Sequence, residues 1–207
     1  MNRIIYLHGF ASGPASGKAR YFQRKFADRG VSIEIPDLSE GCFENLTISG
    51  QLRVIERAAR GESVALIGSS LGGYLAALYA ARHPEVEKLV LLAPAFYFSS
   101  RWADTFGAER LAQWQRDGAL PFFHYSDCTM RNLKYHFIED AITYDPEPNF
   151  CQPTLVYHGT QDDVVPACYS KEFAASHANV QLHLVDSGHD LHNVQDKMWE
   201  GVAAFLL

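Results

Sequence analysis

The 207-residue sequence predicts a single α/β domain in which helices cover both faces of a mainly parallel sheet. Short apolar segments alternate along the chain with segments whose apolar residues recur at helical spacing. The length suits one sizeable core better than two. A content of 47% hydrophobic and 20% charged residues is typical of a globular protein and excludes a largely disordered chain.

Six apolar segments are predicted to form the strands of the sheet: 4–7, 31–35, 63–68, 88–93, 154–159 and 180–185. The segments at 31–35 and 180–185 alternate between apolar and polar residues, whereas the other four are nearly continuous apolar runs. A parallel strand that is covered on both faces is apolar throughout. We therefore expect the continuous runs in the middle of the sheet and the two alternating strands near its edges.

Four helices are predicted between and after these strands. Their apolar faces are Ala19, Phe22 and Phe26; Ile48, Leu52, Ile55 and Ala59; a run over about 72–82; and Val194, Met198, Val202 and Phe205. Gly30 and Gly61 are predicted to end the first two helices. Pro84 stops the third helix, because proline lacks an amide donor and restricts the residue before it.

Charge and cysteine content exclude several classes of function. A net charge of −6 without a basic cluster argues against a nucleic-acid or anionic-membrane partner. The four cysteines form no C-x-x-C pair, so we expect free thiols in a reducing compartment and no zinc or redox site. The first apolar run is too short for a signal peptide or a membrane span, so a cytoplasmic protein without membrane insertion is expected. The oligomeric state is left open.

The segment GSSLGG, residues 68–73, follows a predicted strand and precedes a predicted helix. A G-x-S-x-G sequence in that place is typical of a nucleophile elbow, where small residues are needed two positions before and after the serine. Counted from Ser70 these positions are glycines, whereas counted from Ser69 they are Ile67 and Leu71. Ser70 is therefore the candidate nucleophile. The alternative is a flexible turn without chemistry.

A serine nucleophile needs a histidine base that is oriented by a carboxylate, in the chain order Ser, Asp, His on this fold. The segment HGTQDDVVP, residues 158–166, offers Asp162 and Asp163 after a buried strand. The segment VDSGHDLHN, residues 185–193, offers His189 and His192 after the last strand. Parallel strands present functional loops at these ends.

The segments YLHGFASGP and GSSLGGY resemble the α/β-hydrolase superfamily, in particular the small YqiA-like serine esterases of bacteria, over about 1–94 and 152–207. The resemblance implies a three-layer α/β-hydrolase fold with a shortened sheet. It also implies that Asp162 and His189 complete a triad with Ser70. The backbone N–H groups of Phe10 and Leu71 are implied as the oxyanion hole, while His8 is interpreted as structural.

Residues 94–150 contain 13 of the chain's 26 aromatic residues and are longer than a minimal crossover. Enzymes that this chain resembles place a cap after the corresponding strand, so a mostly helical lid is expected over about 95–150. Its candidate substrate-binding rings are Phe96, Trp102, Phe106 and Trp114, although each ring could instead belong to the lid's own core. Arg101 and other basic residues of the lid fit either an anionic substrate end or a solvated surface.

The resemblance implies a serine hydrolase of carboxylic esters or thioesters that acts on a small-molecule substrate without a cofactor or metal. Other Ser-His-Asp hydrolases of this fold remain alternatives: peptidases, carbon–carbon hydrolases and perhydrolases. A non-catalytic binding protein with a retained pocket is a further alternative.

Overall fold

The computed structural model describes residues 3–207 and contains one six-stranded parallel sheet. Its strands are β1 (Arg3–Leu7), β2 (Ile33–Glu34), β3 (Val64–Ser69), β4 (Val86–Leu92), β7 (Thr154–Gly159) and β8 (Val180–Val185). They lie in the order β2-β1-β3-β4-β7-β8, and every neighbouring pair is parallel. The short β2 and the alternating β8 form the two edges, which confirms the predicted layout of the sheet.

Helices cover both faces of the sheet: α1 (Gly17–Ala27), α2 (Ile48–Ala59), α3 (Leu71–Ala80), α6 (Ala167–Ser176) and α7 (Gln195–Leu206). Alternate residues of β1 point to opposite faces, as the strand period of two requires. Tyr6 packs with Phe22 of α1 and Met198 of α7, whereas Leu7 packs in the cluster that holds α2 and α3. The two clusters make the three-layer arrangement that the sequence predicted.

The segment between β4 and β7 begins with α4 (Phe98–Asp117), which is kinked at Gly107 by a non-helical backbone. It continues with the antiparallel hairpin β5 (Ala119–His124) and β6 (Thr129–Lys134) and ends with α5 (His136–Ala141). A mostly helical segment was expected, and the hairpin is an addition to it. The amide of Tyr125 donates to the carbonyl of Ala11 at 2.8 Å, which fixes the hairpin to the loop after β1.

All four cysteines are exposed and unpaired, as predicted. Among residues 3–207, no helix combines the length and the apolar character that crossing a membrane requires. Within the same residues, no group of three or more histidine, cysteine and acidic side chains is arranged to hold a metal ion.

Candidate active site

Ser70 lies at the turn between β3 and α3 and has a backbone of φ 54° and ψ −118°. A non-glycine residue in such a sparsely populated region stores about 1–3 kcal/mol of strain. Hydrogen bonds hold the turn in place: the Ser70 amide donates to the carbonyl of Leu92 at 2.9 Å, and its own carbonyl accepts from Gly73 at 2.9 Å and Ala95 at 3.1 Å. The surrounding backbone thus determines where the Ser70 hydroxyl points.

The glycines on either side of Ser70 stand where the backbones pass too closely for a side chain. A Cβ atom at Gly68 would lie 2.3 Å from the carbonyl oxygen of Gly72. A Cβ atom at Gly72 would lie 2.2 Å from the carbonyl oxygen of Leu7. Because both oxygens belong to the backbone, neither contact can be relieved by a side-chain rotation. Any residue other than glycine at these two positions would therefore clash with the backbone.

His189, in the loop after β8, links Ser70 to Asp162. Its Nε2 is 2.9 Å from the Ser70 Oγ, and its Nδ1 is 2.7 Å from the Asp162 Oδ2. An ionised carboxylate can only accept, so Nδ1 carries the proton and Nε2 is free to accept from the serine hydroxyl. This tautomer is the one that a general base requires.

Asp162 has a buried carboxylate whose oxygens are both engaged. Oδ1 accepts from the amides of Val164 at 2.9 Å and Val165 at 2.7 Å, while Oδ2 faces His189 and His158. Burial raises the pKa of Asp162, but hydrogen bonds from His158, His189 and the Val165 amide outweigh it and hold the pKa well below its usual value. Asp163 is exposed by contrast.

His158, the penultimate residue of β7, contacts Asp162 but was assigned no role from the sequence. Its fully buried ring places Nε2 2.8 Å from the carbonyl oxygen of Val165 and 3.2 Å from the Asp162 Oδ2. Since the carbonyl can only accept, Nε2–H is the donor, and Nδ1 at 2.7 Å accepts from the Ser170 hydroxyl. His158 therefore helps to position the carboxylate through Oδ2, the same oxygen that faces His189. The only sequence signal for His158 was its place in the segment HGTQDD, which also contains Asp162.

The amides of Phe10 and Leu71 lie beside Ser70. Leu71 is the first residue of α3, so the helix itself does not use its N–H group. Residue 9 passes directly beside Ser70, because a Cβ atom at Gly9 would be 3.4 Å from the Ser70 Cβ. Within residues 3–207 neither amide donates a hydrogen bond to a protein group. Two free donors at this place suit a developing oxyanion.

The other histidines considered from the sequence lie elsewhere. His8 is buried and bridges two backbone groups: its Nε2 accepts from the Leu38 amide at 3.1 Å, and its Nδ1 donates to the Gly9 carbonyl at 3.0 Å. Burial lowers the pKa of His8, in keeping with a neutral ring. His192 is exposed, with its Nδ1 3.2 Å from the Asp190 carboxylate. Only His189 is hydrogen-bonded to Ser70 in the described chain.

A cavity of about 500 Å³ opens beside Ser70 and His189. Its apolar lining includes Phe10, Leu71, Phe98, Trp102, Tyr125 and Val165. Of the four rings proposed from the sequence, Trp102 lines the cavity. Phe106 is a correction, because it does not line the cavity and instead packs against Trp102 with ring centroids 5.3 Å apart.

Phe96 and Trp114 are corrections to the predicted pocket, because both are fully buried in the core and neither lines the cavity. Phe96 packs against Phe173 of α6, with ring centroids 4.4 Å apart. Trp114 donates from its Nε1 to the carbonyl of Leu133 at 2.8 Å, which anchors α4 to the hairpin. Trp114 thus belongs to the lid's own core, which is the alternative that the sequence left open, whereas Phe96 packs against a helix outside the lid.

Comparisons with known proteins identify the family and the fold of the chain. Residues 3–206 match a family described as "Uncharacterised protein family (UPF0227)". Human palmitoyl-protein thioesterase ABHD10, mitochondrial, is 29% identical over 153 residues, which cover 70% of this chain and 49% of that protein. The corresponding Bos taurus protein is 25% identical and covers 94% of this chain and 68% of its own length. The chain thus spans about half the length of the human relative.

Two solved structures share the fold. Est1E from Butyrivibrio proteoclasticus, with ferulic acid bound, has a TM-score of 0.82 at 22% identity and covers 100% of this chain and 88% of its own. Alpha/beta hydrolase domain-containing protein 10 from mouse has a TM-score of 0.82 at 19% identity, with coverage of 98% and 88%. At these identities the likeness shows the α/β-hydrolase fold.

Proposed function

Because the chain belongs to the family UPF0227 and has the α/β-hydrolase fold, we propose that it is a serine hydrolase. Its proposed substrates are carboxylic esters and thioesters, cleaved through an acyl-enzyme on Ser70. The observation that carries this proposal is the hydrogen-bonded series Ser70–His189–Asp162, with distances of 2.9 and 2.7 Å, at the wall of the cavity. Nucleophile, base and orienting acid stand in the order that the reaction needs.

In the proposed reaction the Ser70 Oγ attacks the carbonyl carbon as its proton passes to His189 Nε2. Asp162 stabilises the imidazolium that forms, and its low pKa keeps it ionised at neutral pH. The amides of Phe10 and Leu71 bind the oxyanion, and one such donor is commonly worth about 3–4 kcal/mol. His189 then protonates the leaving alcohol or thiol. Finally it activates the water that releases the acid from Ser70.

The names of two similar proteins support the proposed substrate classes. The mammalian relatives are named palmitoyl-protein thioesterases, and the solved structure of Est1E contains ferulic acid, a carboxylic acid. Esters and thioesters react through the same tetrahedral oxyanion, so one site can serve both. The apolar wall around Trp102 and Phe98 suits an acyl chain or an aromatic acid.

A fluorophosphonate probe tests the proposal directly. We expect labelling of the wild-type protein at Ser70, found by mass spectrometry of the modified peptide, because an activated serine attacks the phosphorus. His189→Ala should reduce the labelling rate by at least about a hundredfold, since the base is removed. His192→Ala is the matched control and should label at close to the wild-type rate. Labelling that is independent of His189 would contradict the proposal.

We also propose that the segment from α4 to α5 forms a cap over the site, as its Phe98, Trp102 and Tyr125 lie on the cavity wall. Trp102→Ala would enlarge the cavity, so we expect kcat/KM to shift towards longer acyl chains in a series of para-nitrophenyl esters. Phe123→Ala, at an exposed ring of the hairpin, is the control. If Trp102→Ala had the same chain-length profile as the wild type, the proposal that the cap selects substrates would be wrong.

A further inference from the structure

Two cationic side chains line the cavity beside Ser70 without a part in the reaction described above. Lys18 is the second residue of α1, and Arg101 belongs to the first turn of α4. The start of α1 lies against the loop after β8 that carries His189 and His192, called the histidine loop below. A Cβ atom at Gly17 would be 3.5 Å from His192 Nε2. Both cations therefore border the space that a bound ester would fill.

Lys18 is partly buried and has no close partner. Within residues 3–207 its ammonium group makes no hydrogen bond and no ion pair within 4.0 Å. Burial lowers the pKa of Lys18 to about 8, and attraction to Asp190 and Asp162 offsets this only in part. A desolvated ammonium without a partner is unfavourable, and a bound anion would relieve that cost.

The acids near Lys18 are engaged elsewhere. The Asp162 carboxylate accepts hydrogen bonds from two amides and faces two histidines. Asp190 lies at the exposed rim, where its carboxylate accepts from the His192 amide at 3.2 Å and lies 3.2 Å from His192 Nδ1. Neither carboxylate is within ion-pair distance of Lys18, so its charge is available to a ligand.

Arg101 supplies a second cation with donors to spare. It donates one hydrogen bond to the carbonyl of Val164 and lies over the Tyr169 ring, 5.7 Å from the centroid. A guanidinium carries five N–H donors, so this contact leaves others free. The Val164 bond holds Arg101 next to the loop that carries Asp162, at the cavity wall.

We propose that Lys18, assisted by Arg101, binds an anionic group of the substrate, a carboxylate or a phosphate. The enzyme then prefers esters or thioesters that carry a negative charge near the scissile bond over neutral ones of the same shape. This inference rests on the proposed function, because it names the substrate class of the same site. A wholly neutral substrate would instead cover Lys18 and leave its ammonium unpaired in the complex.

The test compares charged and neutral esters of matched shape. One pair is the mono-para-nitrophenyl ester of adipic acid and its methyl ester, with the charge on the acyl side. A second pair is the butyrate ester of para-hydroxybenzoate and the butyrate ester of its methyl ester, in which the charged member carries its charge on the alcohol side. The butyrate ester of para-hydroxyphenyl phosphate is a further charged substrate, in which a phosphate replaces the carboxylate. The readout is the ratio of kcat/KM, charged over neutral, within each variant.

We expect Lys18→Met to lower this ratio at least about tenfold for one or more pairs, which corresponds to a lost charge-assisted contact. Lys18→Arg should keep it within about threefold, because the positive charge remains. Lys171→Met makes the same chemical change on the exposed face of α6 and is the matched control. A ratio that is the same in wild type and Lys18→Met for every pair would overturn the inference.

The pH dependence supplies a signature that a packing role would not produce. A lysine is charged below its pKa, so the wild-type ratio should fall as the pH rises through about 8. Other titratable or charged groups also line this cavity: His189, His192, Asp190, Arg101, Tyr6 and Tyr125. Asp162 lies outside the lining but attracts Lys18. Groups that act equally on both esters cancel in the ratio. In Lys18→Arg the fall should disappear, because guanidinium stays protonated.

Direct binding separates this inference from the proposed function. Calorimetry with Ser70→Ala would measure the binding of adipate and of phenyl phosphate, with hexanediol as the neutral control. Adding Lys18→Met should weaken the anions at least about fivefold. If no ester is cleaved by the wild type, the hydrolase proposal fails while this measurement still decides the anion site. If esters are cleaved but neither anion binds Ser70→Ala more tightly than hexanediol, the anion site alone is refuted.

Discussion

Replacing Ser70 with alanine is expected to lower kcat/KM for para-nitrophenyl butyrate by about ten-thousand-fold or more. The change removes the hydroxyl that is hydrogen-bonded to His189 and that is proposed to form the acyl-enzyme. The proposed oxyanion donors at Phe10 and Leu71 remain in this variant, so a small rate above that in water is expected. Steady-state kinetics on purified protein, with circular dichroism as the check on folding, measures the effect.

The adjacent Ser69 gives a matched comparison. It ends β3 and is buried, and its hydroxyl is not hydrogen-bonded to His189. Ser69→Ala should therefore lower kcat/KM by less than about tenfold. If Ser69→Ala abolished turnover while Ser70→Ala retained it, the assignment of the nucleophile would be wrong.

Ser70→Gly shows whether the strain at this turn is tied to the chemistry. Glycine adopts φ 54° without a Cβ contact, so this variant should also lose activity yet unfold at a higher temperature than Ser70→Ala. The relief of strain exceeds the extra chain entropy of glycine by about 1 kcal/mol, which corresponds to about 2–4 °C in Tm. Equal melting temperatures would show that the turn is not strained.

Asp162→Asn is expected to lower kcat by about ten-thousand-fold, because the amide no longer holds His189 in the tautomer whose Nε2 can accept a proton. Asp163→Asn removes the same charge from the next, exposed residue and should stay within about threefold of wild type. Parallel kinetics of the two variants decide between the two adjacent acids. A larger loss in Asp163→Asn would reverse the assignment.

The same substitution should affect stability in a pH-dependent way. Because the pKa of Asp162 is lower in the folded protein than in the unfolded chain, its ionisation stabilises the fold above the unfolded pKa of about 4. This contribution is lost as the pH falls through the folded pKa. Urea unfolding should thus show that Asp162→Asn is less stable than wild type at neutral pH, with a difference that narrows below about pH 4.

The parts of the fold that repeat a simple pattern were predictable from the sequence. Continuous apolar runs identified the central strands, and the alternation of 180–185 identified an edge. The hairpin β5–β6 was not predicted, since Pro121 argues against a strand and the aromatic residues around it have no clear period. In the described structure this strand pairs on one side only, where proline is tolerated.

The candidate site also contains residues that the sequence indicated and residues that it did not. The glycine pattern after a strand indicated Ser70. The spacing of the later segments left Asp162 or Asp163 and His189 or His192 open, and the family resemblance pointed to Asp162 and His189. His158 and Lys18 gave no such signal, because their importance depends on what packs against them: Val165 and Ser170 in one case, the histidine loop in the other. Phe98 lines the cavity and Phe96 does not, a distinction set by side-chain direction in an irregular segment.

The strands that precede the proposed nucleophile and the proposed base differ in how firmly they are held. β3, which precedes Ser70, has strands on both sides, whereas β8, which precedes His189, has β7 alone as its neighbour in the described sheet. Peripheral strands open locally at lower free energy than central ones. On heating, β8 and the His189 side chain would then leave their native positions while most of the molecule stays folded. Substitutions that stabilise β8, rather than the central strands, would therefore extend the half-life of activity at high temperature.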